Sequence, residues 1–197
     1  MYSKTFIFFL VTTLLFIFSP IQGSNIHAYD SLEVGILYDV NINRNSFHHY
    51  WNQNWGFELF VSTPFYWGQL HTGLVVNSFD SRDIRFVNFT TYFLYFGWGV
   101  SCKLPCKFNG FSAIHLGNVM MQFHPGSKTP DVIYDPEDEF ALRLSCGLSY
   151  PLHKNLYYKL NIHYHITYLN KRIELNILST GVSYYFNTPK WLKEFLQ

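Results

Sequence analysis

From Tyr157 to Tyr168 the chain alternates strictly. One phase reads Tyr158, Leu160, Ile162, Tyr164, Ile166 and Tyr168; the other reads Tyr157, Lys159, Asn161, His163, His165 and Thr167. A period of two is the signature of a strand with one apolar face and one polar face. The segment from Glu139 to Tyr150 repeats it, with Phe140, Leu142, Leu144, Cys146, Leu148 and Tyr150 set against Glu139, Ala141, Arg143, Ser145, Gly147 and Ser149. The small residues of that second set suit the crowded inside of a narrow barrel. Applied along the chain, the rule predicts eight strands, over 31–43, 54–65, 68–80, 88–104, 109–123, 138–151, 155–169 and 173–186. Most are longer than the roughly 9–11 residues that cross a bilayer at a tilt, whereas strands of soluble proteins mostly run to about 5–6. In the eighth, Ile173, Leu175 and Ile177 stand out of step with Leu178 onward, which predicts a bulge.

The connections fall into two sets. Val61-Ser62, Val100-Ser101, Leu148-Ser149 and Val182-Ser183 recur at the ends of the even strands, each followed by a proline at Pro64, Pro105, Pro151 or Pro189. Proline lacks the ladder donor and belongs at strand ends and turns. The even-to-odd links are short, around Tyr66–Trp67, Pro105–Phe108 and Leu152–Lys154. Two odd-to-even links are long: 43–53, carrying Phe47-His48-His49-Tyr50-Trp51, and 124–137, rich in Pro, Gly and Asp; the one near Asn170-Lys171-Arg172 is short and breaks the trend. Short periplasmic turns with longer outer loops are the habit of outer-membrane barrels.

The N-terminus predicts export. Lys4 precedes an apolar run from Phe6 to Phe18, broken at Ser19-Pro20, with Gly23-Ser24 beyond. That run is too short for a comfortable spanning helix and suits a signal-peptide core, so residues 1–23 are expected to be removed. The competing reading is an uncleaved anchor helix. No cysteine near residue 23 supports a lipid attachment there. Downstream, no apolar run approaches the roughly 18 residues of a helical span. Composition narrows the choice further. Charged residues make up only 14% and aromatics 20%, so much apolar surface must be covered by lipid or by an aromatic core. A net charge of +1 gives no support to a nucleic-acid partner. An exported, aromatic-rich β-chain is then a membrane barrel or a secreted lipocalin-like ligand-binding barrel with its apolar face turned inward. Strand length and aromatics at strand ends (Tyr66, Trp67, Trp98, Tyr150, Tyr184, Tyr185) favour the membrane.

Leu178, Thr180, Val182, Tyr184 and Phe186 share one phase and end on an aromatic. This pattern resembles the C-terminal β-signal by which outer-membrane barrels are recognised by their insertion machinery. With the strand count, residues 30–187 resemble the small OmpA/OmpX-like outer-membrane barrels of Gram-negative envelopes, at the level of architecture. The resemblance implies an all-β, eight-stranded antiparallel up-and-down transmembrane β-barrel, whose partners are outer-membrane lipid and that machinery. In most such proteins the chain stops at the terminal aromatic; here it runs on to Gln197. Thr188-Pro189 offers an N-cap and a first-turn proline. Trp191, Leu192, Phe195 and Leu196 then fall on one side of a helix, with Lys190, Lys193 and Glu194 on the other. A short amphipathic C-terminal helix over 188–197, interfacial or plugging on the periplasmic side, is expected after a barrel over 24–187; a terminal turn packed on the rim is the plainer alternative.

An eight-stranded barrel is filled by its own side chains. Glu33, Asp39, Glu58, Arg143, Lys159, His163 and also Glu174 are expected in the lumen, as a paired structural network, because buried charge needs a partner. His163 and His165 share a face and His48-His49 lie in a loop, but histidine pairs without a carboxylate or thiol at fixed spacing do not make a metal site; neither metal nor cofactor is expected. Some outer-membrane lipid A deacylases are eight-stranded barrels with a His-x-Ser-Asn stretch. The nearest match, His165-Ile166-Thr167-Tyr168, lacks the serine nucleophile. Cys102, Cys106 and Cys146 are odd in number and fit no zinc pattern. Cys102 and Cys106 span a predicted periplasmic turn, where a disulfide is permitted, yet no cysteine chemistry is expected. The functional expectation is a non-enzymatic barrel with a structural or surface-interaction role. It would act through the 43–53 and 124–137 loops or through the tail helix. A lipid A-modifying hydrolase and the lipocalin-like barrel are the alternatives.

Overall fold

The computed structural model describes residues 28–43, 46–83, 86–124, 135–168 and 172–196. The expected signal peptide lies outside these residues, as does most of the 124–137 loop. Eight strands follow in order: β1 (Ser31–Asn41), β2 (Trp51–Phe65), β3 (Gly68–Ser81), β4 (Asn88–Lys103), β5 (Asn109–His124), β6 (Glu137–His153), β7 (Leu156–Thr167) and β8 (Ile173–Asn187). Each pairs antiparallel with its sequence neighbour, and β8 returns to β1, closing an up-and-down barrel. Closure gives every strand a pairing partner on both sides. The strand positions follow the alternation closely, because the period of two is a property of the pleated backbone itself.

Side chains sort by phase. In β1, Glu33, Gly35, Leu37 and Asp39 point inward and are buried, while Val34, Ile36, Tyr38 and Val40 point outward and are exposed. Register carries this around the wall. Leu94 lies opposite Leu74, Leu74 opposite Leu59, Leu59 opposite Ile36, and Ile36 opposite Val182. The exterior therefore carries a continuous apolar ladder, with Leu94 64% exposed.

Three expectations are corrected. β8 pairs one-to-one with both β1 and β7, so it has no bulge near Ile173; register shifts fall at Gln53/Trp55 and Pro151/His153 instead. Ile173, Leu175 and Ile177 keep step by pointing inward, where the lumen at that end is apolar. Glu174 consequently faces outward. It accepts a hydrogen bond from the Tyr164 hydroxyl (2.6 Å) and pairs with Arg172 (2.9 Å). Tyr185 belongs to the inward phase and packs edge-on against Tyr157, 4.9 Å between ring centres, so it is no part of an outer aromatic girdle.

The 43–53 segment carries secondary structure from residue 46 onward. Ser46–Tyr50 form a short helix, α1, and β2 begins at Trp51. At the short-turn end, Pro105–Lys107 make a 3-10 turn in which Cys106 and Lys107 adopt φ of 61° and 65°. After β8, Lys190–Leu196 form a second short helix, α2. The Thr188 amide donates to the Asp30 carbonyl (3.1 Å), and Lys193 Nζ meets Asp30 Oδ1 at 2.6 Å. The end of the chain is thus latched to the start of β1. Trp191 is exposed; the side chains of Leu192, Phe195 and Leu196 are outside the described set.

Candidate functional site

The lumen is a column of polar chemistry closed at one end by an apolar plug. Glu33, Asp39, Glu58, Arg143, Lys159 and His163 all lie inside it and are buried. Near the short-turn end Glu33 pairs with Lys159 and accepts from the Ser62 hydroxyl at 2.9 Å. The Lys159 ammonium sits 4.6 Å from the Phe60 ring centre and 5.4 Å from that of Phe111, so aromatic faces take up the charge that Glu33 leaves unscreened. Midway, Glu58 accepts from Arg143 Nη2 (2.6 Å) and from the Tyr95 hydroxyl (2.5 Å). The Arg143 guanidinium also lies 5.7 Å from the Tyr95 ring centre. His163 Nε2 is 3.8 Å from Glu58. Its Nδ1 shares the Ser145 hydroxyl (2.7 Å) with His115 Nδ1 (3.1 Å). Asp39 faces this group without a hydrogen bond to it and lies beside the Ser179 side chain; Arg143 Nε and Nη1 make no hydrogen bond among the described residues. Such groups are what internal water serves in proteins.

Glycines make room for the large members of the network. A Cβ on Gly35 would lie 2.3 Å from the Phe60 ring, and one on Gly97 2.3 Å from the His115 ring. At Gly73 it would come within 2.6 Å of the Tyr95 hydroxyl and 2.5 Å of the Leu59 carbonyl. Gly73→Val is expected to push Tyr95 off Glu58 and to cost about 1–3 kcal/mol, the usual effect of overpacking. Urea titration of the folded band in detergent measures this. An unchanged midpoint would show that Tyr95 has room to yield.

The other end is sealed by Phe47 of α1. It packs with Phe79, Phe89, Leu175 and Ile177, and with the partly buried Trp51, Phe123 and Ile173. Trp51 Nε1 donates to the Val87 carbonyl at 3.1 Å, which fixes the lid to the neighbouring β3–β4 connection. Beneath the plug, above Arg143, His165 and Thr167, is a cavity of 20 Å³. That is room for about one water.

This arrangement limits the available chemistry. Ser145, His163 and Glu58 form a hydroxyl–imidazole–carboxylate series, but Ser145 is 0% exposed, and an ester in the surrounding phase cannot reach it. His165 and Thr167, from the stretch nearest the deacylase pattern, also lie inside, bonded to each other at 3.1 Å. Among the described residues no group of three His, Cys, Asp or Glu is placed to hold a metal. Cys102, Cys106 and Cys146 are free thiols. Leu178, Thr180, Val182, Tyr184 and Phe186 lie on the outward phase of β8, in the strand that closes the barrel on β1. Alternation had put Ser145 on the inner face of β6, but had not pointed to Tyr95 or His115 as members of the network. In Tyr92–Val100 both phases are apolar or aromatic, so the inward one carries no polar label.

No protein-family model matches the sequence, and no curated protein matches it. Solved structures do match. The N-terminal β-barrel domain of Pseudomonas aeruginosa OprF is similar over 81% of this chain and 100% of its own, at 10% identity and a TM-score of 0.55. The P. aeruginosa outer membrane protein OprG is similar over 82% of this chain and 98% of its own, at 10% identity and a TM-score of 0.53. The fold is that of the small outer-membrane β-barrels. Neisserial surface protein A shares it at 12% identity and a TM-score of 0.50, over 82% of this chain and 100% of its own. At these identities the likeness speaks for fold alone, and what the barrel does must be argued from its surfaces.

Proposed function

We propose that the protein is a non-enzymatic integral barrel of the outer membrane, exported by its N-terminal segment and inserted through the β8 signal. The carrying observation is the inverted polarity of the wall: ionisable side chains pack inside, and the apolar ladder from Leu94 to Val182 faces out. Water does not stabilise that surface, whereas hydrocarbon does. A soluble lipocalin-like barrel needs the opposite arrangement. At the short-turn rim Tyr66 is 73% and Trp67 61% exposed, beside exposed Lys103, Lys107, Lys154 and Lys190. Aromatic rings and lysines of this kind suit the headgroup level of the inner leaflet. Trp191 on α2 suits it as well, which makes the tail an interfacial anchor on the periplasmic side.

Among the described residues the lid and the packed lumen leave no solute path, so the role is structural or lies in surface interaction. The outward connections and the start of β6 (Glu137, Asp138) are the parts presented to partners. The test is a cold-versus-boiled gel of the protein refolded in detergent, with circular dichroism alongside. A heat-modifiable band with a β-spectrum is expected. Solubility without detergent and no mobility shift would sink the membrane reading in favour of the lipocalin-like one.

A further inference from the structure

The barrel wall is split at its lidded end. β1 and β2 pair only between Glu33–Tyr38 and Phe57–Ser62. Beyond that β1 stays with β8 up to Asn41, and β2 stays with β3 back to Trp51. The register shift between Gln53 and Trp55 sets one extra residue into β2, which bends a strand away from its neighbour. Between the diverging ends lies a cleft of 160 Å³.

Gln53 closes its inner side. Its Nε2 donates to the Asp39 carbonyl (3.0 Å) and its Oε1 accepts from the Asn41 amide. A side-chain amide thus stands in for the lost ladder rung. Gly56 permits this, since a Cβ there would lie 2.2 Å from the Gln53 nitrogen. The wall stays sealed toward the lumen while the cleft opens outward.

The two walls of the cleft differ in chemistry. Tyr38 and Val40 make one apolar. Asn52, Asn54 and His48 make the other. Arg82 holds Asn52 and His48 in place by hydrogen bonds to both. A primary amide offers donor and acceptor side by side; Asn52 gives its Oδ1 to Arg82 and keeps its N–H donors for a neighbouring hydroxyl, and an aromatic wall matches the C–H face of a ring. On the membrane side of the cleft the exterior continues as Ile36, Phe57 and Leu59, all exposed. A concave site with a few placed polar groups above an apolar track fits an amphiphile.

We propose that this cleft binds the sugar headgroup of a glycolipid, ring between Tyr38 and the asparagines, alkyl chain down the wall over Ile36 and Leu59. The proposal rests on the barrel standing in the membrane. Its test uses the full chain refolded in lauryldimethylamine oxide, titrated with octyl β-glucoside or with tetraethylene glycol monooctyl ether, which has the same alkyl chain and no sugar. Side-chain amide NMR signals of Asn52 and Asn54 are the readout. The glucoside is expected to shift them saturably and the ether not at all. Tyr38→Ala is expected to weaken the glucoside response, read on the same signals. Asn52→Ala/Asn54→Ala is expected to weaken it roughly tenfold, the worth of one to two hydrogen bonds, read on the Gln53 amide. Asn118→Ala, on the exterior of β5, should leave it unchanged. Equal responses to both amphiphiles would assign the effect to the chain and overturn the proposal. A response to inorganic phosphate but not to the glucoside would assign an anion site at Arg82 and His48, and overturn it too. A heat-modifiable barrel with no saturable shift overturns this proposal alone; loss of heat modifiability overturns the membrane reading and this one with it.

Discussion

Arg143→Ala is expected to destabilise the barrel by about 3–5 kcal/mol, the cost of stranding a buried charge by removing its partner. Arg143 is 0% exposed and touches Glu58 at 2.6 Å. Asp39 faces the same guanidinium and is as deeply buried. One cation therefore offsets two carboxylates, and no other described cation is paired with either; Lys159 is engaged by Glu33. Alanine would also remove the stem that fills the middle of the lumen and the contact with the Tyr95 ring. The size of the loss should depend on charge more than on volume. Arg143→Met keeps most of the volume and should still lose most of the stability. Arg143→Met/Glu58→Gln should recover part of it, because only Asp39 then remains uncompensated. Urea titration in detergent, followed by the fraction of unboiled folded band, measures all three. A loss under about 1 kcal/mol for Arg143→Met would show that the carboxylates neutralise by taking up protons, and the ion pair would then be no support of the fold.

The strands and their inward and outward faces were legible in the sequence because the pleat imposes them residue by residue. Glu33, Asp39, Glu58, Arg143, Lys159 and His163 could be placed by phase alone. Legibility fails where the interior stops being uniformly polar. Ile173, Leu175 and Ile177 read as a slip in register only if the lumen is polar along its whole length. The lid makes it apolar at one end, and the same three residues become plug. Glu174 was carried to the wrong face by that assumption. Phe47 escaped for a related reason: Ser46–Tyr50 carries no periodicity, and its burial is decided by Phe79 and Phe89 from distant strands. The β1–β2 cleft is invisible to alternation, which reports faces and not pairing. Gln53 differs from any other strand glutamine only by lying over Gly56 where two strands part.

Leu94→Arg is expected to cost about 2–4 kcal/mol in a phospholipid bilayer, the depth-dependent price of a cation near the midplane of the lipid face. Leu94 sits midway along β4, 64% exposed, in the ladder with Leu74, Leu59 and Ile36. An arginine there has Leu74 on its β3 side and Asn118 on its β5 side, so no carboxylate lies across from it on either strand. Tyr66→Arg at the rim turn should cost only about 0–1 kcal/mol, because near the interface the same charge reaches water. The difference between the two positions is the informative quantity. A barrel standing in water has no depth, and there both changes would fall within about 0.5 kcal/mol of zero, as exposed substitutions do. Urea-driven unfolding from phosphatidylcholine vesicles, followed by tryptophan emission, gives both values. A clear gap between Leu94→Arg and Tyr66→Arg places the ladder in hydrocarbon, and equal small effects would remove the main physical argument for a membrane barrel.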